Sequence, residues 1–381
     1  METVTQPYSL RGLVLYFLKL GTIGFGGPVP LAGYMDRDLV ESRKWITRDE
    51  FIRGLAFSKM APGPFATQLA IYIGYIRSGV WGASLVAFFF VLPSFIIVVG
   101  LAMLYQAYGA MHWMEATFAG VSAAVLGVIA RSTYKLTQTA VGNDKMMWGI
   151  YIVAAVAAVL MENEPIWLLL AAGVFMMLWT MRMSPKQIGA KLLSFNPMAL
   201  MLAATSLPPT AGFVELFWYF AQAGTVVFGS GMAIVPFLYG GVVQGHHWLT
   251  QRQFLDAVAV SMISPGPLVI TTAFIGYLIS GMPGAFAAAL GVFLPVYLFV
   301  VILTPLYERL AKNAPFQAFI KGVTAAATGA IASAIINLAR HSSMGPIEIT
   351  FALVALVLTF KWKIPEPVII LAAGLLGILL L

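Results

Sequence analysis

Across 381 residues the chain is 60% hydrophobic and 10% charged, has no cysteine and carries a formal net charge of +7. Soluble domains run near 25% charged, so no soluble fold of this length could hide so much apolar surface. Disulfides, thiolate metal sites and thiol redox chemistry are excluded with the cysteines. The composition demands a polytopic membrane protein. Its apolar runs lack period-2 alternation, which argues for an all-α protein and against a barrel. At about 25–30 residues per span and loop, the length allows about a dozen membrane helices. The basic residues lie in connecting segments, where membrane topology explains them, so no nucleic acid partner is expected. No cleavable signal peptide is read at the start.

In chain order, an apolar Gly-rich helix is expected over 10–27, followed by a polar or turn-like segment. A short helix over 47–61 opens on a capping box, Thr47 with Glu50. It stops at Pro62-Gly63-Pro64, because proline lacks an N–H and clashes with the preceding turn. A second short helix (65–77) precedes a long span with a mid-helix proline (80–105). Another long span (113–135) and two shorter ones (146–162 and 165–181) complete the unit.

The unit then repeats. "YFLKLGTIGFGG" at 16–27 answers "YFAQAGTVVFGS" at 219–230, a shift of 203 residues. At the same shift "WITRDEF" (45–51) answers "WLTQRQF" (248–254), and "SKMAPGP" (58–64) answers "SMISPGP" (261–267). After a one-residue deletion, "IGYIRSG" (73–79) answers "IGYLISG" (275–281), Pro93 answers Pro295, and "GVSAAVLGVIA" (120–130) answers "GVTAAATGAIA" (322–332). The reading is a duplicated unit at 10–181 and 211–381, joined by a linker over 182–210.

Lys and Arg counts reverse between equivalent loops. Loop 36–53 has five and 239–256 has one; 105–115 has none and 307–317 has two. Loop 131–147 has three against one in 333–349, and 162–164 has none against two in 361–363. Positive loops stay cytoplasmic, so the halves are expected to be inverted, as in secondary transporters. Inversion needs an odd number of crossings per half. A re-entrant hairpin turned at Pro-Gly-Pro supplies that parity.

Irregular backbone at membrane depth is tolerated where protein buries it or it lines a cavity. Paired broken segments point to a transporter's binding site. Here "FGGP" pairs with "FGSG" and "APGP" with "SPGP". A helix starting after such a break offers free N–H groups and a positive dipole end, which suit an anion. Nearby polar residues are Thr22, Ser58, Lys59, Thr67, Gln68, Thr225, Ser230, Ser261, Ser264, Thr271 and Thr272. Of these, Ser58, Lys59, Gln68, Ser230, Ser264 and Thr271 are taken as substrate-binding candidates. Lys59 stands out because a charge within the membrane is costly; its counterpart is Met262. Arg53 answers Asp256 across the repeat. The histidines His112, His246, His247 and His341 form no chelating pattern. Adjacent His246 and His247 would diverge on a helix. No metal, no cofactor and no catalytic cluster is expected, so the chain is not read as an enzyme.

The doubled pattern of F-G-G-P, W-[IL]-T-x-x-[EQ]-F and [AS]-P-G-P resembles the chromate ion transporter family, in its long two-domain bacterial form. That resemblance implies chromate efflux across the bacterial inner membrane, with sulfate as a related anion. It also implies motif positions at Phe25, Gly26, Gly27, Pro28, Pro62, Gly63 and Pro64, and at Phe228, Gly229, Pro265, Gly266 and Pro267. Half two departs from the pattern: Ser230 and Gly231 stand where half one has Gly27 and Pro28. Expected partners are chromate or sulfate and membrane lipid; a homodimer is compatible with the sequence, which fixes no oligomeric state. The alternatives left open are another oxyanion carrier and a non-transporting scaffold or sensor.

Overall fold

The computed structural model describes residues 8–25, 27–60, 63–109, 111–161, 166–183, 212–226, 228–229, 231, 234–307, 313–341, 345–362 and 364–380. Most of the expected linker, and Gly26, Pro62 and Ser230 among the candidate site residues, lie outside the described residues.

Half one begins with α1 (Leu10–Ile23), whose first turn is capped by Ser9 Oγ accepting from the Gly12 amide at 3.0 Å. Then follow α2 (Pro28–Met35), α3 (Arg48–Met60), α4 (Phe65–Tyr108), α5 (His112–Val141), α6 (Lys145–Met161) and α7 (Ile166–Met183). Half two repeats the order as α8 (Phe213–Val226), α9 (Ile234–Leu238), α10 (Gln251–Ile263), α11 (Thr271–Leu303), α12 (Ala314–His341), α13 (Pro346–Lys361) and α14 (Glu366–Leu380). Among the described residues, four helical stretches are long and apolar enough to cross a membrane alone: Phe65–Tyr108, Trp113–Val141, Leu268–Leu306 and Ala314–Asn337. The other apolar helices are shorter, and each leaves an apolar face exposed, with Leu160 and Leu379 both 77% exposed.

Both capping boxes form. Thr47 accepts from the Glu50 amide while Glu50 accepts from the Thr47 amide. Thr250 and Gln253 repeat the exchange. The segments read as turn-like after α1 and α8 instead contain helix. Pro28 at the first position of α2 supplies a preset φ, and wide π-type turns at Asp36–Ser42 and Tyr239–Gly245 carry the chain onward. His246 and His247 follow the second of these turns rather than lying on a helix; His247 has φ +53° and His246 stacks on Trp248 at 4.2 Å.

The helices on either side of each break pack together as a hairpin. Phe57 of α3 stacks on Tyr72 of α4 at 5.6 Å, so the two helices lie side by side about the turn. In half two Thr271 of α11 reaches Ser261 of α10 across the same turn. A second interruption recurs in both long helices. Ser78-Gly79 and Ser280-Gly281 share non-helical backbone, with φ +57° and +61° at the glycines.

The halves are interleaved. Helices α1, α4, α8 and α11 form a central unit, held in part by a hydrogen bond between the Ser84 and Tyr297 hydroxyls at 2.7 Å. Outside it, α5 packs on α13 and α14 of the other half, and α12 packs on α6 and α7. Glycines set these close approaches. A Cβ on Gly120 would lie 2.3 Å from the Ala373 carbonyl oxygen, and one on its counterpart Gly322 would lie 2.5 Å from that of Ala172. Such contact replaces the hydrophobic drive that lipid cannot supply between helices.

Candidate functional site

Each break is clasped by the opposite half. Gly63-Pro64 forms a two-residue parallel pairing with Phe228-Gly229, Gly63 opposite Phe228 and Pro64 opposite Gly229. On the other side the Gly266 amide donates to the Gly24 carbonyl at 2.8 Å. The first hairpin turn therefore meets the end of α8, and the second meets the end of α1.

Space at both turns is tight for one reason. Gly63 and Gly266 have φ of +131° and +95°, which L side chains rarely adopt. A Cβ at Gly63 would lie 2.9 Å from Val296 Cγ2, and one at Gly266 would lie 1.9 Å from Ser94 Oγ. Val296 and Ser94 are repeat counterparts, each following the mid-helix proline of the opposite half, Pro295 and Pro93. Pro64, Pro265 and Pro267 are buried beside them.

The polar candidates divide. Gln68 is fully buried, and its Nε2 would lie 2.7 Å from a Cβ on Gly63. Ser58 donates to the Gly54 carbonyl at 2.8 Å and Ser264 to the Ser261 carbonyl at 2.9 Å. Thr271 is bonded to the Leu268 carbonyl as well as to Ser261. Those three hydroxyl protons are spent within their own hairpins, so they turn lone pairs rather than donors to a neighbour. Lys59, on the last turn of α3, is exposed, as is Phe25. Gly27 caps α2 with φ +79°, and a Cβ there would lie 3.6 Å from Leu268 Cδ1, so the start of α2 lies against the second hairpin turn.

Two residues not taken as substrate-binding candidates from the sequence belong to this region. Ser94 is buried and donates to the Gly21 carbonyl at 3.2 Å, bridging α1, α4 and the second turn. Thr67, in the first turn of α4, is fully buried, and among the described residues its Oγ1 has no hydrogen-bond partner. A buried orphan hydroxyl in a native chain calls for an explanation. Its position beside Pro-Gly-Pro was the available sequence signal for Thr67. Ser94 had only its neighbour Pro93.

The sequence profile described as "Chromate transporter" matches residues 11–177 and again 214–378. The chain belongs to the chromate transporter family. Among its relatives, the chromate transport protein of Cupriavidus metallidurans is 51% identical, over 98% of this chain and 94% of that protein. A probable chromate transport protein of Synechococcus elongatus is 48% identical, over 99% and 97%. An uncharacterized transporter of Bacillus subtilis, YwrB, is 30% identical over 45% of this chain and 88% of its own length, so it spans about one family unit. No solved structure matches. For a member of the chromate transporter family the doubled match fits the duplicated helix order described above. Among the described residues no group of three His, Asp or Glu could hold a metal ion.

Proposed function

We propose that this multi-pass protein is a secondary transporter, not an enzyme, that exports chromate across the bacterial inner membrane. In this reading the anion binds at the broken-helix termini between two inverted repeats. The observation that carries it is the crossed clasp: Gly63-Pro64 on Phe228-Gly229, and Gly266 on Gly24. Four helix interruptions, two from each half, meet in two crossed pairs in which a side chain at Gly63 or Gly266 would clash, and such paired breaks at equivalent places point to a binding site.

Chromate and sulfate are tetrahedral dianions that lose hydration on binding. Backbone N–H groups at the start of α4, the Gln68 amide, the orphan Thr67 hydroxyl and the Lys59 cation together offer replacements. Moving one charge through 100 mV is worth about 2.3 kcal/mol, so a dianion leaving a negative interior gains about 4.6 kcal/mol. That equals roughly a thousandfold gradient, so export needs no ATP.

Interleaving changes which bodies would rock. Helices α5, α13 and α14 belong to both halves by sequence yet pack together, as do α12, α6 and α7. Alternating access would then move the central α1–α4 and α8–α11 unit against these mixed bundles, rather than one sequence half against the other. Flux in liposomes decides the reading. Electrogenic chromate transport, driven by an imposed voltage, is expected; no chromate flux under any gradient would sink it. Preferred sulfate flux that chromate inhibits weakly would assign the protein to the oxyanion carriers instead.

A further inference from the structure

Asp256 is a carboxylate in the middle of α10, 1% exposed and outside the anion site proposed above. Its two oxygens are shared between helices of the other half. Tyr105 Oη of α4 donates to Oδ2 at 2.7 Å, and Ser122 Oγ of α5 donates to Oδ1 at 2.7 Å. Both donors are neutral hydroxyls. The nearest cation, Arg252, lies one turn earlier and is held by Glu115 of α5, its guanidinium donating to Oε1 at 2.8 Å and to the backbone carbonyl at 2.9 Å. That pair is about half exposed, while Asp256 is buried.

Among the described residues the surroundings are otherwise uncharged. Helix α11 and the turn Leu268–Ile270 carry no charged residue. The charged residue of α14 is Glu366, which faces Arg131 of α5 at 4.0 Å. From the wide turn Tyr239–Gly245, the Tyr239 hydroxyl is committed to Gln251. The groups that face Asp256 are thus Tyr105, Ser122, Arg252 and, through Arg252, Glu115.

A buried carboxylate with only hydroxyl partners is costly to keep ionised and a functional candidate by default. We propose that Asp256 is a proton-binding site, filled from the face that carries Glu115 and Arg252, and that its occupancy controls how firmly the second hairpin is held to half one. Hydronium at that face gives its proton to Oδ1 and leaves as water. The new acid O–H donates to Ser122 Oγ, and the Ser122 proton turns to the carbonyl four residues back. The repeat supplies the precedent: Thr324, the counterpart of Ser122, already donates to the Ile320 carbonyl at 2.7 Å. Tyr105 keeps its bond to Oδ2. A symmetric, two-donor clamp on the ionised form becomes a weaker tie in the acid.

The first hairpin is built differently. Arg53, the counterpart of Asp256, pairs with Asp49 on its own helix at 2.9 Å, and both side chains are exposed. The proton site is therefore a property of the second hairpin. This inference rests on the transport reading for its coupling, and on nothing but the Asp256 geometry for its chemistry.

The test uses the full-length protein in liposomes. Infrared difference spectra between acid and neutral pH are expected to contain a protonated carboxylic C=O component that Asp256→Asn removes while the bands of the other carboxylates remain. Chromate flux at zero voltage is expected to change about fivefold or more with an imposed pH gradient, and in Asp256→Asn to lose that response. Ser122→Ala and Tyr105→Phe each remove one donor to the ionised form, so that component should persist with its midpoint moved to higher pH. These two variants serve if Asp256→Asn fails to insert. A parent spectrum without that component overturns the proposal, as does a midpoint that neither donor variant moves, or a full pH response in Asp256→Asn. If the parent moves no chromate at all, the transport reading fails and the infrared arm alone decides the proton site.

Discussion

The Gly266 amide donates to the Gly24 carbonyl at 2.8 Å, and the two residues come from opposite halves of the chain. Each lies at a helix interruption. The bond means that the second hairpin cannot leave the centre without releasing the end of α1, so the two breaks move as one element or not at all.

Gly266→Ala should therefore be severe. The new methyl would meet Ser94 Oγ at 1.9 Å, on a backbone with φ +95°. Backbone strain and overpacking together should cost about 2–4 kcal/mol. Thermal unfolding in detergent should show it, with Ser94→Gly recovering the steric part and leaving the strain. A Gly266→Ala protein as stable as the parent would mean that the turn is not packed as described.

Thr67→Val separates binding from stability. Among the described residues the Thr67 hydroxyl has no partner to lose, so an isosteric apolar replacement should be neutral or stabilising. Chromate affinity in liposomes should nonetheless fall about tenfold, the worth of one hydrogen bond to a charged group. Unchanged KM would remove Thr67 from the anion site.

Lys59 is exposed on the last turn of α3, and half two carries Met262 in its place. Lys59→Met should leave the unfolding temperature unchanged. It should raise KM for chromate about tenfold or more, with Lys59→Arg recovering most of the loss. Equal kinetics in the Met variant would show that Lys59 anchors the helix at the interface rather than meeting the anion.

Interleaving can be read by cross-linking, since the chain has no cysteine of its own. A Cβ on Gly374 of α14 would lie 3.3 Å from Thr117 Cγ2 of α5, within reach of a disulfide. The pair Thr117→Cys and Gly374→Cys should oxidise readily, seen as loss of maleimide labelling. Transport should survive, because both helices belong to one mixed bundle. Free thiols after mild oxidation would refute the exchange.

Much of the architecture was legible in the sequence because repetition doubles every signal. The capping boxes at Thr47 and Thr250 mark their helices within a residue, since a cap is local chemistry. The hairpins were legible from Pro62-Gly63-Pro64 and its copy for the same reason. The interleaving of α5 with α13 and α14 was not, because Gly120 and Gly322 look alike whichever half covers them. Ser94 escaped notice for a related reason: a serine after a mid-helix proline reads as an ordinary helical residue until Gly266 from the other half is set against it. The roles of Ser58, Ser264 and Thr271 also depended on rotamers, which no spacing encodes.

The swap of terminal helices also bears on how such chains arise. A chain with only one unit would carry an α5 whose Gly120–Gly127 face has no lid, because the helices that cover it here are numbered beyond 345. Two single-unit chains would have to exchange their last two helices to close both faces, and each would be incomplete until the other was made. Fusing the units into one polypeptide turns that encounter between strangers into a reach along a tether.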